Sequence, residues 1–295
     1  MKQTGIKPGG LFAAPAMLGL LLFVALPFLL AIILSFTNLR LGSPLPVEFI
    51  GFEQYRRIFT DPAFISALSN NALFALIVVP LQTLLALILA LLLNQKLKGL
   101  TLFRTLFFMP VVFPLSLVAV VWVLIFAPGP NGMMNALLET VTWGHWQARD
   151  FLRDPQLALP AIMLTSIWQG VGFQMIIILA GLQTIPAQLY EAASIDGASR
   201  WRQFWHVTLP QLRNTLIFVV LVTTILAFRL FDQVQIMTQG GPLNATTTAM
   251  YEAVQSAFER QQVGKGAAIT VVLFVIVLLI TLLQRRFVKQ EREIA

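Results

Sequence analysis

The sequence predicts an all-α, polytopic integral membrane protein with six membrane-spanning helices. Three observations carry that expectation. Hydrophobic residues make up 57% of the 295 and charged residues only 11%, against about 25% charged in soluble domains. So large an apolar excess must face lipid. The apolar residues gather into six runs, each approaching the ~20 that a helix needs to cross a hydrocarbon core. Lysine and arginine favour the connections on one side of those runs.

The first run, residues 11–36, follows Lys2 and Lys7. A cleaved signal peptide has a shorter apolar core with small residues after it. Here Ala13, Ala14 and Ala16 lie at the other end of the run, so an uncleaved span is expected. Residues 37–67 form a polar connection with Pro44, Pro46, Gly51, Arg56, Arg57 and Asp61-Pro62. The remaining spans are expected at about 69–93, 104–126, 159–182, 212–231 and 267–284. Pro27, Pro80, Pro110 and Pro114 fall inside spans and predict kinks, tolerated where neighbouring helices or water satisfy the freed carbonyls. The expected division is an N-terminal span with its external connection, 1–68, and a core transmembrane domain, 69–290.

Orientation follows from the cations. With the N-terminus inside, the inner segments hold Lys2, Lys7, Lys96, Lys98, Arg104, Arg200, Arg202, Arg213, Arg285, Arg286, Lys289 and Arg292. The longer outer segments hold only Arg40, Arg56, Arg57, Arg149, Arg153, Arg260 and Lys265. Both termini and the 183–211 connection are then cytoplasmic. This topology also accounts for the net charge of +7: the basic residues are scattered and lack the basic-aromatic groove pattern of a nucleic-acid binder.

The connection at 186–210 reads as folded. Pro186 suits a first helical turn, where its missing N–H has no intrahelical partner. Leu189, Ala192, Ala193 and Asp196 recur at helical spacing. Gly197 can take the left-handed conformation that closes a helix. Ser199 suits the N-cap of a second short helix expected to end before Pro210. The expectation is helix, glycine turn, helix, at a membrane surface.

Catalytic chemistry is largely absent. Gly264-Lys265 is followed by Gly266 instead of Ser or Thr, and Glu259 stands where a phosphate-cradling loop needs glycine. With no cysteine, and with His145 and His206 far apart, no metal site is expected. The ionisable exception is Arg229, near the end of the fifth span, with Asp232 three residues on. At that spacing the two would share a helix face. Either Arg229 snorkels to the interface with Asp232 as its partner, or one or both line a polar solute pathway. Within the fourth span, Trp168-Gln169-Gly170-Val171-Gly172-Phe173-Gln174 sets two amides beside aromatics and two glycines. That combination suits a polyhydroxylated ligand, or close helix packing through small residues. Gln169, Gln174, Arg229 and Asp232 are therefore the candidate solute-pathway residues.

Glu191-Ala192-Ala193, three residues, Gly197, nine residues, then Val207-Thr208-Leu209-Pro210 resembles the EAA loop of permease subunits in bacterial ATP-binding-cassette importers, with Val for the usual Ile. Phe49-Ile50-Gly51-Phe52-Glu53-Gln54-Tyr55, Thr238-x-Gly240-Gly241-Pro242, Phe258 and Gly264-x-Gly266-Ala267-Ala268 are similar to segments of the carbohydrate-uptake, maltose/glycerol-phosphate branch. The resemblance implies an ABC-importer permease fold with a cytoplasmic coupling helix, in the inner membrane. It implies a second, unlike permease, two cytoplasmic ATPase subunits and an extracytoplasmic binding protein as partners, with ATP-Mg on the ATPases and no cofactor on this chain. It assigns ATPase coupling to Glu191, Ala192, Ala193, Asp196, Gly197, Leu209 and Pro210, and a sugar or related polar solute as cargo. An ion-driven carrier would want an inverted repeat and carboxylates within spans, and neither is found. A non-transporting scaffold would have no use for polar groups clustered mid-span.

Overall fold

The computed structural model describes residues 8–95 and 98–286, with side chains from Phe12 on. Lys2, Lys7, Lys96, Lys289 and Arg292 lie outside the described residues. Among those described, the chain is helical, and its β-structure is one isolated antiparallel bridge, Thr37 with Phe49.

The first helical run is α1 (Pro8–Leu20), a π-turn (Leu21–Ala25) and α2 (Leu26–Leu34). The π-turn sits directly before Pro27, with the Leu26 N–H reaching back to Leu21 O. A proline ring clashes with the carbonyl four residues back, and a widened preceding turn makes room for it. Next come α3 (Glu53–Thr60) and α4 (Pro62–Leu93), which begins earlier than expected and runs on through Pro80. The third apolar run is two helices, α5 (Leu100–Val112) and α6 (Leu115–Ile125), bent by 99°. Pro110 leaves α5 continuous, and the break falls at Phe113-Pro114. Phe113 is extended, at φ −77° and ψ 141°, as a residue before proline prefers.

Then follow α7 (Met133–Val141), α8 (Ala158–Gln183), α9 (Ala187–Ile195), α10 (Arg200–Gln203), a second π-turn (Phe204–Thr208) and α11 (Leu209–Gln211). The last elements are α12 (Arg213–Phe228), α13 (Asp232–Met237), α14 (Ala249–Val254), a third π-turn (Gln255–Glu259) and α15 (Val263–Arg285). Among the described residues, four stretches are long and apolar enough to cross a membrane, namely Phe12–Leu34, Pro62–Leu93, Ala158–Gln183 and Val263–Arg285. The count reaches six if each bent pair, α5–α6 and Arg200–Gln211 with α12, is one span.

The chain divides into two units. One gathers the described residues up to Pro62 with Glu252–Phe274. In it Phe36 packs on Phe49, Phe52 and Tyr55, and the Gln54 amide donates to Thr37 O at 3.0 Å. A side chain at Gly264 would collide with that same carbonyl, so two sequence segments far apart in the chain meet here. Lys265 Nζ pairs with Asp61 at 2.7 Å and with Glu252 at 3.3 Å, while Arg260 reaches Glu252 at 2.6 Å. Buried Glu252 thus has two cations, as an ionised carboxylate out of water requires.

The other unit comprises the described residues of Ala63–Tyr251 and those from Val275 to Arg286. One apolar cluster joins α4, α6, α8 and α13 around Phe74, Trp122, Ile162 and Val234, and a second joins α4, α8 and α12 around Ala86, Ile178 and Val219. The Thr-rich turn is a folded cap. Thr246 donates to Gly241 O, Thr247 to Gly240 O and Thr248 to Leu230 O. Helices α5 and α8 touch backbone to backbone at Gly172, where a Cβ would run into the Phe107 carbonyl. Gly172→Ala should force them apart and cost about 1–3 kcal/mol, read as a lower unfolding temperature in detergent. Gly19→Ala, with open space around it, should leave that temperature unchanged.

Candidate functional site

A cavity of about 380 Å³ opens where α4, the α5–α6 break, α8, α12 and α13 converge. Its size falls within the ~300–1,000 Å³ usual for small-molecule sites. Four side chains singled out in the sequence line it together: Gln169, Gln174, Arg229 and Asp232. Ser166, Gln82, Thr223 and Gln233 add neutral polar groups, and Phe113 and Phe173 add aromatic faces.

The amides are positioned by one another. The Ser166 hydroxyl donates to Gln233 Oε1, and Gln233 Nε2 donates to Gln169 Oε1 at 3.4 Å. Gln169 Nε2 in turn donates to Phe113 O at 3.3 Å, a carbonyl freed by the α5–α6 break. Buried Gln174 donates through Nε2 to Thr223 Oγ1 at 2.6 Å. The glycines permit close approach, since a Cβ at Gly170 would displace the Gln82 amide.

Three expectations are corrected. Arg229 and Asp232 do not share a helix face: α12 ends at Phe228, Phe231 has φ −137° and ψ −60°, and Asp232 opens α13. They form no ion pair among the described residues, so the simple snorkelling partnership fails. Trp168 is not part of the lining and packs edge-on against Trp122, 5.7 Å away. Pro210 does not end the helix before it; the segment continues through α11, its π-turn closed by Leu209 N–H to Phe204 O. Gln233 was missed because it lies beyond the expected fifth span. Its signal was the pair of amides, Gln233 and Gln235, that follows Asp232 among the apolar residues of 230–237.

The 186–210 loop has the expected helix-turn-helix form. Pro186 is the residue before α9, with φ −61° but ψ 133°, one position outside the expected first turn. The end of α9 is a Schellman motif, with Gly197 N–H on Ser194 O, Ala198 N–H on Ala193 O, and Gly197 at φ +75°. Ser199 caps α10, its hydroxyl accepting from Arg202 N–H at 3.4 Å. Tyr190 bonds Thr208, and Gln203 bonds Ser194 and the Ala198 carbonyl, so the two arms brace each other. The outward face is bare. No residue of α9 is buried, Ile195 is 87% exposed, and Glu191 is exposed with no ion pair among the described residues.

Broken helices around an amide-lined cavity, with a folded loop offering an exposed apolar and acidic face, are the features of a membrane transport component. The chain belongs to the family of binding-protein-dependent transport system inner membrane components, whose model matches residues 82–293. It is thus a permease subunit of an ABC importer, a transport component and not an enzyme. It is 36% identical over 285 residues to the probable ABC transporter permease protein YurN of Bacillus subtilis, covering 96% of each chain. It is 36% identical over 283 residues to the sulfoquinovosyl glycerol transport system permease of Agrobacterium fabrum, covering 95% of this chain and 89% of that one. It is 32% identical over 248 residues to the sn-glycerol-3-phosphate transport system permease of Pectobacterium atrosepticum, covering 83% and 81%. The fold is that of a chain of a bacterial alginate ABC transporter, solved in complex with an alginate pentasaccharide-bound periplasmic protein, with a TM-score of 0.81, 21% identity and 94% and 92% coverage.

A β-branched side chain at Gly197 would be held at positive φ. Gly197→Val should cost about 1–3 kcal/mol at the end of α9. It should speed amide exchange from Ala192 to Ala198 without lowering the global unfolding temperature.

Proposed function

We propose that the amide-lined cavity is the solute pathway of this permease and that the 186–210 loop is its mechanical connection to a separate ATPase. The observation that carries the reading is the convergence of Gln169, Gln174, Arg229 and Asp232 on one cavity whose amide chain is anchored to a broken helix. A change in the α5–α6 bend would reset Gln169, and through it Gln233 and Ser166. Opening and polar lining are thereby coupled, as alternating access requires.

The cargo is a sugar or related polar solute; what it shares with the sulfoquinovosyl glycerol and sn-glycerol-3-phosphate named for two relatives is the hydroxylated skeleton, not their anionic group. Partners are a second permease, two cytoplasmic ATPase subunits carrying ATP-Mg, and an extracytoplasmic binding protein. The bare face of α9 fits an ATPase cleft. Small Ala192 and Ala193 admit a close backbone, Glu191 offers an anion to a partner cation, and the Gly197 turn and Leu209-Pro210 fix the angle between the arms. Nucleotide-driven closure of the ATPases would pull on this lever and rock the spans. The chain sits in the cytoplasmic membrane with both termini inside.

Glu191→Lys should abolish transport and detach the ATPase while leaving membrane insertion intact. Gln174→Ala should keep the complex assembled but weaken apparent solute affinity about tenfold, the loss of one buried hydrogen bond. Uptake and co-purification measured on both variants would separate the two roles, and normal import by Glu191→Lys would remove the lever. The chain has no cysteine, so single introduced thiols report topology directly. Ser194→Cys should react with an impermeant maleimide only in inside-out vesicles, and His145→Cys only in right-side-out ones.

A further inference from the structure

We propose that the cavity selects uncharged hydroxylated solutes over anionic ones, and that Asp232 sets this preference; the inference rests on the cavity being the solute pathway. Its lining carries one cation and one anion, Arg229 and Asp232, so it offers an entering anion no excess of positive charge. The break at Leu230-Phe231 separates these two residues, and Asp232 has no ion-pair partner among the described residues. A phosphate or carboxylate drawn toward Arg229 therefore meets a carboxylate lining the same cavity, and the two like charges repel.

The uncharged wall accounts for the hydroxylated half of the preference. Thr223 donates its only proton to Val219 O at 2.7 Å, so it must accept from Gln174, which fixes the Gln174 amide with Nε2 toward Thr223 at 2.6 Å. Gln174 Oε1 is left buried, with no protein donor. A solute hydroxyl can donate to that oxygen, so this wall selects for hydroxyl groups, and the choice between neutral and anionic solutes falls to Asp232. Phe113 and Phe173 supply apolar surface for the C–H face of a sugar ring.

The complete importer, purified with its partner subunits in lipid nanodiscs, is titrated with glucose and maltose, and with glucose 6-phosphate and glycerol 3-phosphate. Binding is read as thermal stabilisation. A neutral sugar should bind tighter than the phosphorylated probes by about tenfold or more. Asp232→Asn should erase or reverse that ratio without changing the unfolding temperature of the solute-free complex. Asp232→Ser, which keeps a polar group at the start of α13, should do the same. If the wild type binds a phosphorylated probe as tightly as its neutral counterpart, or if neither variant moves the ratio, the charge preference is overturned while the cavity stands as a solute site. If no probe stabilises the wild type, the cavity is not the pathway and both readings fall.

Discussion

The constraint on which the structure depends is the need to satisfy backbone carbonyls where helices break in a medium without water. Each unsatisfied polar group in hydrocarbon costs several kcal/mol by ordinary estimates, so a break persists only if a side chain reaches it. This chain supplies one at several of its helix ends. Gln169 donates to Phe113 O at the α5–α6 bend, Asn71 to Ala227 O and Thr248 to Leu230 O at the end of α12, and Arg104 to Leu93 O after α4. The same logic holds in the other unit, where Gln54 reaches Thr37 O after α2. Gln169 and Asn71, which look out of place in the apolar runs, are among the groups that satisfy those bends.

That view joins stability to transport. Gln169 satisfies a broken helix and lines the cavity with the same amide group. Asn71 donates to the last turn of α12 and accepts from Ala249 N–H at 2.7 Å, so the start of α14 is held against the element carrying Arg229. The lining is therefore not a set of groups added to a finished scaffold. Gln169 belongs to both, so a change in the α5–α6 bend changes the lining.

Much of this was legible in the sequence, and the divide between what was and what was not is physical. The apolar runs declared themselves because lipid demands a continuous stretch. The turn at Gly197 did so because a left-handed residue after a helix favours glycine. The 99° bend did not, since four prolines offered equal claims and only Pro114 lies where the helix can stop with a side chain waiting. Spacing placed Arg229 and Asp232 on one helix, an inference that fails once the helix ends between them. The Asp61–Lys265–Glu252–Arg260 network joins residues up to 204 apart, beyond any local pattern.

Two of the π-turns carry a further consequence, for the geometry of labelling. A π-turn holds one residue more than an α-turn, and each residue of an α-helix advances about 100° around the axis. A helical wheel drawn straight through Leu21–Ala25 or Phe204–Thr208 therefore assigns later positions to the wrong side by about that angle. Spin labels, cross-linkers or fluorophores on the first span, or on the arm leading into α12, must be phased separately on either side of the bulge.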